Sequence, residues 1–229
     1  MRQLFAESDL KDIIEKVVQG QRLTREDGIR LMEAKDLLAV GYMADLVRRK
    51  KSGDYAFFIV NRHMSIEDID CVARTEKFAA MSYGQWETAG EGIDQLIKLR
   101  ELQDRTGGVL AFMPLAFHLQ NTGPEDLVLS RTTTGYEDLR VLAVARLMLD
   151  NIDHIKAHWL IFGPKLAQVS LAFGVDDIDG TVVEEQINRP AGADTGQVMT
   201  KRALVDMIKA AGRKPAIRDT LYRIIEEVF

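Results

Sequence analysis

The sequence predicts an α/β fold: a partial TIM-type (βα) barrel with about four parallel strands and an N-terminal helical extension. Three observations carry this. Apolar runs of strand and helix type alternate from Tyr55 to Phe173, the pattern of a parallel layer. The first 53 residues read as helices alone. At 229 residues the chain is shorter than the ~250 that a closed eight-stranded barrel typically takes. The expected organisation is a helical segment over 1–53, then a partial barrel with a C-terminal helix and an extended tail over 54–229.

In order along the chain, Leu10, Ile13, Ile14, Val17 and Val18 form a helical stripe that closes at Gly20. Thr24-Arg-Glu-Asp27 resembles a capping box and opens a second helical stretch through Val47, with a break near Lys35. Arg48 to Lys51 place four cations at its end, where they complement the helix dipole. Tyr55–Val60 is aromatic and β-branched and reads as a buried strand. Phe78–Tyr83 is the next strand. Thr88-Ala-Gly-Glu91 caps a helix that ends at Gly107-Gly108, and Val109–Phe117 follows as a strand. Leu139–Leu149 reads as a helix, Ile155–Phe162 as a strand, and Pro164–Phe173 as a helix with proline in its first turn. Thr200 caps a last helix that ends at Gly212. Such a half-barrel leaves two edge strands with unpaired backbone, which points to a homodimer or an unusual closure.

Composition narrows the function. The net charge of −5 gives nucleic acid no electrostatic hold. No apolar run approaches the ~20 residues of a membrane span, and the N-terminus lacks the pattern of a signal peptide, so a cytoplasmic protein is expected. Cys71 is the only cysteine, which excludes an internal disulfide or a tetrathiolate zinc site. His154 and His158 flank an expected strand, so they are not read as a metal pair.

In parallel sheets, ligands bind beyond the C-terminal strand ends. Those ends present Asn61, Arg62 and His63, then Gln85 to Glu87, then His118, Gln120 and Asn121, then Lys165. Polar groups at four ends favour a small-molecule pocket over ordinary polar loops. Gly163-Pro-Lys165 suits a carboxylate or phosphate, or leaves Lys165 simply solvated. The acidic run Asp176, Asp177, Asp179, Glu184 and Glu185 reads as a cation or sugar-hydroxyl site, or as a charged loop.

Ordered words extend beyond these single positions. Leu99-Arg-Glu-Leu-Gln-Asp-Arg-Thr-Gly-Gly108, Met113-Pro-Leu-Ala-Phe-His118, Asn121-Thr122 and Leu142–Asn151 are followed by Gly163–Gln168 and Asp176–Glu185. Together these resemble the C-terminal part of aminodeoxyfutalosine synthase, and Leu23–Gly28 with Asn61-Arg-His63 resembles its N-terminal region. The resemblance implies a radical-SAM barrel in the futalosine route to menaquinone, with a four-iron cluster and S-adenosylmethionine. It also implies substrate contacts at Asn61, Arg62, His63, Glu87, His118, Asn121, Lys165, Gln168, Asp176, Thr181 and Glu184. The ligand would be a futalosine-type nucleoside or an enolpyruvyl benzoate.

One departure outweighs the matches. The family follows Asn-Arg-His with a Cys-x3-Cys-x2-Cys loop and several βα units. Here Asn61-Arg-His63 runs into Met64–Cys71 and soon reaches Phe78. Gln85, Gln120 and Arg189 stand where the family usually has groups that transfer protons. The expectation is therefore a shortened homologue without independent radical chemistry and with no cofactor of its own. Its alternatives are an accessory protein or inactive remnant pairing with a full-length enzyme, or an active enzyme whose cluster another chain supplies.

Overall fold

The computed structural model describes residues 8–60, 77–116, 133–180, 182–183 and 198–228. Three helices come first: α1 (Lys11–Gln19), α2 (Arg25–Glu33) and α3 (Leu37–Ser52). Thr24 and Asp27 form the expected capping box on α2, and Asp27 also takes an ion pair from Lys16 at 2.8 Å that ties α2 to α1. The break near Lys35 is real: Asp36 restarts the chain by accepting from the Ala39 N–H.

The remaining described elements are β1 (Tyr55–Phe58), β2 (Phe78–Tyr83), α4 (Ala89–Thr106), β3 (Ala111–Ala116), α5 (Gly135–Met148), β4 (His154–His158), α6 (Trp159–Phe162), α7 (Pro164–Ser170), β5 (Asp177–Asp179), β6 (Val182–Val183), β7 (Met199–Thr200), α8 (Lys201–Ala210), β8 (Lys214–Arg218) and β9 (Ile224–Glu227). Seven strands form one sheet in the order β2-β3-β4-β5-β1-β8-β9, and β6 pairs with β7 separately. Every pairing in the large sheet is parallel except β8 with β9.

The parallel α/β class stands, with three differences in detail. The expected strand 155–162 ends at His158, and Trp159–Phe162 turns into a helix. The acidic segment after Val175 is not a loop at its start: Asp177–Asp179 is a central strand between β4 and β1. The tail forms β8 and β9, so β1 is flanked on both sides. Each missed strand is short or carries buried charge, so hydrophobic pattern alone does not mark it.

The helical segment and the sheet share one core, which runs from Leu10 and Ile13 through Val40, Met43, Phe112, Leu142 and Ile155 to Ile217. Helix α5 is buried along nearly its whole length, so its residues are apolar on most sides rather than on one stripe. Gly41 of α3 lies under the Phe173 ring, where a Cβ would come within 2.5 Å. Among the described residues no helix is long and apolar enough to cross a membrane.

One buried carboxylate joins these layers. Asp176 is fully buried and accepts from Arg146 of α5 at 2.5 Å, from the Ile155 N–H of β4 at 2.8 Å and from the Ser52 hydroxyl at the end of α3. His154 Nδ1 lies 2.8 Å from Oδ2, the oxygen that Ser52 also reaches, while Arg146 and the Ile155 N–H share Oδ1. The Asp176 carbonyl accepts from the Phe57 N–H at 2.7 Å, which sets β5 beside β1. Burial alone would raise this carboxyl, but Arg146 and His154 hold it well below the usual carboxylate range.

Replacing Asp176 by Asn leaves Arg146 as a buried cation without its counter-ion. The variant is expected to lose about 3–5 kcal/mol of unfolding free energy, read by urea denaturation. The folded state holds this carboxyl below its ordinary value, so the unfolded chain binds the proton first on acidification. The wild-type advantage over Asp176→Asn is therefore full above about pH 4 and declines as pH falls further.

Candidate functional site on the polar face of the sheet

Side chains of register partners share a face of a parallel sheet. The pairings Ala157↔Ile178 and Phe112↔Ile155, with Phe58↔Ile217, put the apolar residues on the helix-covered side. The pairings Lys156↔Asp177, His158↔Asp179 and Phe57↔Asp177 put the charged residues on the other. This second face carries His154, Lys156, His158, Asp177, Asp179 and Arg218, in strands that alternate strictly with apolar neighbours.

The charges are paired in two groups. Lys156 Nζ, fully buried, lies 2.8 Å from Asp179 and 4.7 Å from the Phe78 ring centroid. Asp177 accepts on one oxygen from Arg218 at 2.5 Å and from the Tyr222 hydroxyl at 2.5 Å, while its Oδ1 is buried without a partner. Burial raises the Asp177 carboxyl, and Arg218 and Lys156 offset only part of that. The Asp179 carboxyl is lowered instead: Lys156 and the Gly180 N–H outweigh its burial. Burial lowers the His158 imidazole, which keeps it neutral at pH 7, and its Nδ1 also lacks a partner.

Tyr222 closes the N-terminal end of this face. Its ring stacks on His154 at 3.7 Å between centroids and 3° between planes, and the Arg218 guanidinium lies 4.0 Å from its centroid. Its backbone is left-handed, with φ 61°, a conformation that an aromatic residue adopts only when its surroundings enforce it.

A second feature opens beyond the C-terminal end of β2. A cleft of about 250 Å³ is lined by Tyr83, Trp86, Glu87, Thr133, Glu137 and Arg140, among others. Tyr83 donates to Asp138 at 2.7 Å beneath it, and the Trp86 ring packs so closely on Gly92 of α4 that a Cβ there would collide with it. Arg140 donates to the Met32 carbonyl, and its Nε is buried without a partner.

The expected contact residues divide accordingly. Glu87 is exposed at this cleft. Lys165 is exposed on α7, which has only seven residues. The Gln168 amide donates to the Met207 carbonyl at 2.9 Å and so ties α7 to α8. Asp176 sits at the N-terminal end of β5, away from the ligand end of a parallel sheet, with both oxygens engaged inside the protein. In that position it ties the elements of the fold to one another. Asn61, Arg62, His63, His118, Asn121, Thr181 and Glu184 lie outside the described residues, as does Cys71. Lys156, His158, Arg218 and Tyr222 were not singled out by sequence reasoning as contacts. The alternation His154-Ile-Lys156-Ala-His158 was the signal that could have marked a two-faced strand.

Residues 106–228 match the family described as the CofH/MqnC C-terminal region. The chain is 52% identical over 146 residues to aminodeoxyfutalosine synthase of Thermus thermophilus, covering 63% of this chain and 39% of that protein. It is 42% identical over 152 residues to 5-amino-6-(D-ribitylamino)uracil–L-tyrosine 4-hydroxyphenyl transferase 1 of Methanosarcina acetivorans, covering 65% and 40%. The chain thus spans about two fifths of the length of these curated relatives. The FeFe-hydrogenase maturase HydG of Carboxydothermus hydrogenoformans shares the fold with a TM-score of 0.62 at 9% identity, covering 95% of this chain and 81% of that one.

The electrostatics of the polar face can be read by NMR titration of His158. Asp179 raises this imidazole and Lys156 lowers it. Asp179→Asn is therefore expected to move the His158 midpoint further down, and Lys156→Met to move it up; equal midpoints in both variants would contradict the arrangement.

Proposed function

Since this chain belongs to the family of the CofH/MqnC C-terminal region, we propose that it is a shortened homologue of aminodeoxyfutalosine synthase. In this reading it keeps part of a small-molecule pocket and does not perform radical chemistry by itself. The observation that carries the reading is the polar face, where Lys156, Asp177, Asp179 and Arg218 line one side of a sheet whose other side is apolar. Burying charge is costly even when it is paired, and hydrophobic residues of similar volume would serve stability as well or better. A row of such charges with two unpartnered acceptor or donor atoms, Asp177 Oδ1 and His158 Nδ1, is suited to a ligand rich in hydroxyl and amine groups.

A nucleoside of the futalosine type has that chemistry. Asp177 would accept from a ribose hydroxyl, neutral His158 would accept or donate according to its tautomer, and Lys156 with Asp179 would orient the polar edge. The cluster chemistry of the family does not fit the residues present. Three cysteine thiolates hold such a cluster, whereas the sequence has Cys71 alone. Among the described residues no group of three His, Cys, Asp or Glu side chains could hold a metal.

Two measurements test the proposal. A ligand that binds only the folded state raises its melting temperature, and aminodeoxyfutalosine at about 100 times its dissociation constant is expected to give roughly 5–10 °C. His158→Phe, which keeps a flat ring but removes the nitrogen, is expected to weaken binding about tenfold. No shift at any soluble concentration would remove the pocket reading. Separately, anaerobic reconstitution with iron and sulfide is expected to leave the chain without a four-iron cluster and unable to cleave S-adenosylmethionine; a chain that does both would overturn the catalytic half of the proposal.

A further inference from the structure

Near the N-terminal ends of β1 and β8, cations outnumber their counter-charges. Asp45 of α3 takes three guanidinium groups: Arg48 Nε at 2.8 Å, Arg49 Nε at 2.7 Å and Arg213 Nη2, from the turn before β8, at 2.7 Å. Arg48 is fully buried, and the Arg213 side chain is 8% exposed. Each of these two keeps one buried N–H without an acceptor, Arg48 Nη2 and Arg213 Nε. Burial and then Arg48 lower the Arg213 guanidinium, and Asp45, with a smaller contribution from Asp54, offsets only part of that. Two buried cations on one carboxylate leave positive charge uncompensated, which a protein interior tolerates poorly.

Arg213 also lines a cleft of about 190 Å³ where β1 and β8 begin and β9 ends. Lys209 and Lys214 stand on the same cleft, both exposed, and make no ion pair among the described residues. Helix C-termini attract cations. This end of α8 is already satisfied, however: the Met207, Ile208 and Lys209 carbonyls accept from the Ala211, Gly212 and Arg213 N–H groups. Tyr55 and Glu227 share the cleft, and the Tyr55 hydroxyl donates to Glu227 Oε1 at 2.8 Å, which fixes one carboxylate among the cations and leaves its second oxygen open. Three cations beside one fixed acceptor suit an oxyanion that carries a hydrogen of its own, able to accept from the lysines while donating to Glu227. Inorganic phosphate at pH 8 is a dianion that retains one hydrogen. Sulfate is a dianion without one, and so is a phosphomonoester, whose second pKa is about 6.

We propose that this cleft is an inorganic-phosphate site, in which Lys209, Arg213 and Lys214 supply the charge and Glu227 selects the oxyanion that can donate. The lysines are exposed and the ion is small, so the dissociation constant belongs between about micromolar and millimolar. The site takes no residue of the polar face and does not depend on a ligand there.

Calorimetric titration of the full chain at pH 8, with ionic strength held constant by sodium chloride, tests it. Phosphate is expected to bind saturably at one site, about tenfold tighter than sulfate or methyl phosphate. Lys209→Ala combined with Lys214→Ala is expected to weaken phosphate at least about tenfold with an unchanged melting temperature, since both side chains are exposed. Glu227→Gln removes the charge that opposes a bare dianion and is expected to bring the three ions within about threefold of one another. Absence of saturable phosphate binding overturns the proposal. So does equal affinity for the three ions in the wild-type chain, which would mean general attraction of anions. Binding that survives the double lysine variant lies elsewhere and overturns it as well, as does a phosphate preference that Glu227→Gln leaves unchanged, because Glu227 would then not be the selecting group.

Discussion

The fold depends on a carboxylate that has no contact with solvent. Asp176 joins α3 through Ser52, α5 through Arg146, β4 through His154 and the Ile155 N–H, and β1 through its own carbonyl. Five partners from four elements meet on one residue, so the layers cannot shift independently without leaving a charge unpaired in the interior. Parallel strands have no hairpin turns to fix their neighbours. Here a buried ion pair supplies that constraint, and it places β5 between β4 and β1.

The position of β5 then decides the character of the sheet. With Asp176 anchored below, the alternation of the strand sends Asp177 and Asp179 to the face opposite the helices, beside Lys156 and His158. The same alternation sends Ile178 into the core. Structure and candidate site are therefore separated by one residue: Asp176 serves the fold, and Asp177 lies on the polar face. The tail completes that face, since Arg218 of β8 and Tyr222 of the turn bind the carboxylate that β5 presents. The left-handed backbone at Tyr222 is held by stacking on His154, by Arg218 above the ring and by the bond to Asp177.

A chain whose match spans about two fifths of its curated relatives keeps a continuous core because its N-terminal helices pack with the sheet rather than apart from it. Leu10, Ile13, Leu31 and Met43 share one cluster with Phe112, Ile155 and Ile217. Stability does not then require a complete ring of strands. Among the described residues the sheet has two edge strands that are not equivalent: four of the six β2 residues are half-buried or buried, while all four of β9 are exposed.

Local chemistry was legible in the sequence. The Thr24 and Thr88 caps, the break near Lys35, the strands at Tyr55 and Phe78 and the single cysteine follow from side-chain types and spacing, because caps and periodicity act over three or four residues. The family was legible too, in the ordered words between Leu99 and Glu185. The sequence did not disclose that Asp176 is structural, that Asp177 begins a buried strand, or that Lys156 and Arg218 answer its charge. Those facts depend on partners 21 to 124 residues away, as in Ile155 and Ser52 with Asp176 and Arg218 with Asp177. An acidic run looks the same in a solvated loop and in a strand that pairs its charges. Only tertiary structure distinguishes them, because burial makes each charge require a counter-charge, and the counter-charges arrive from other elements of the fold.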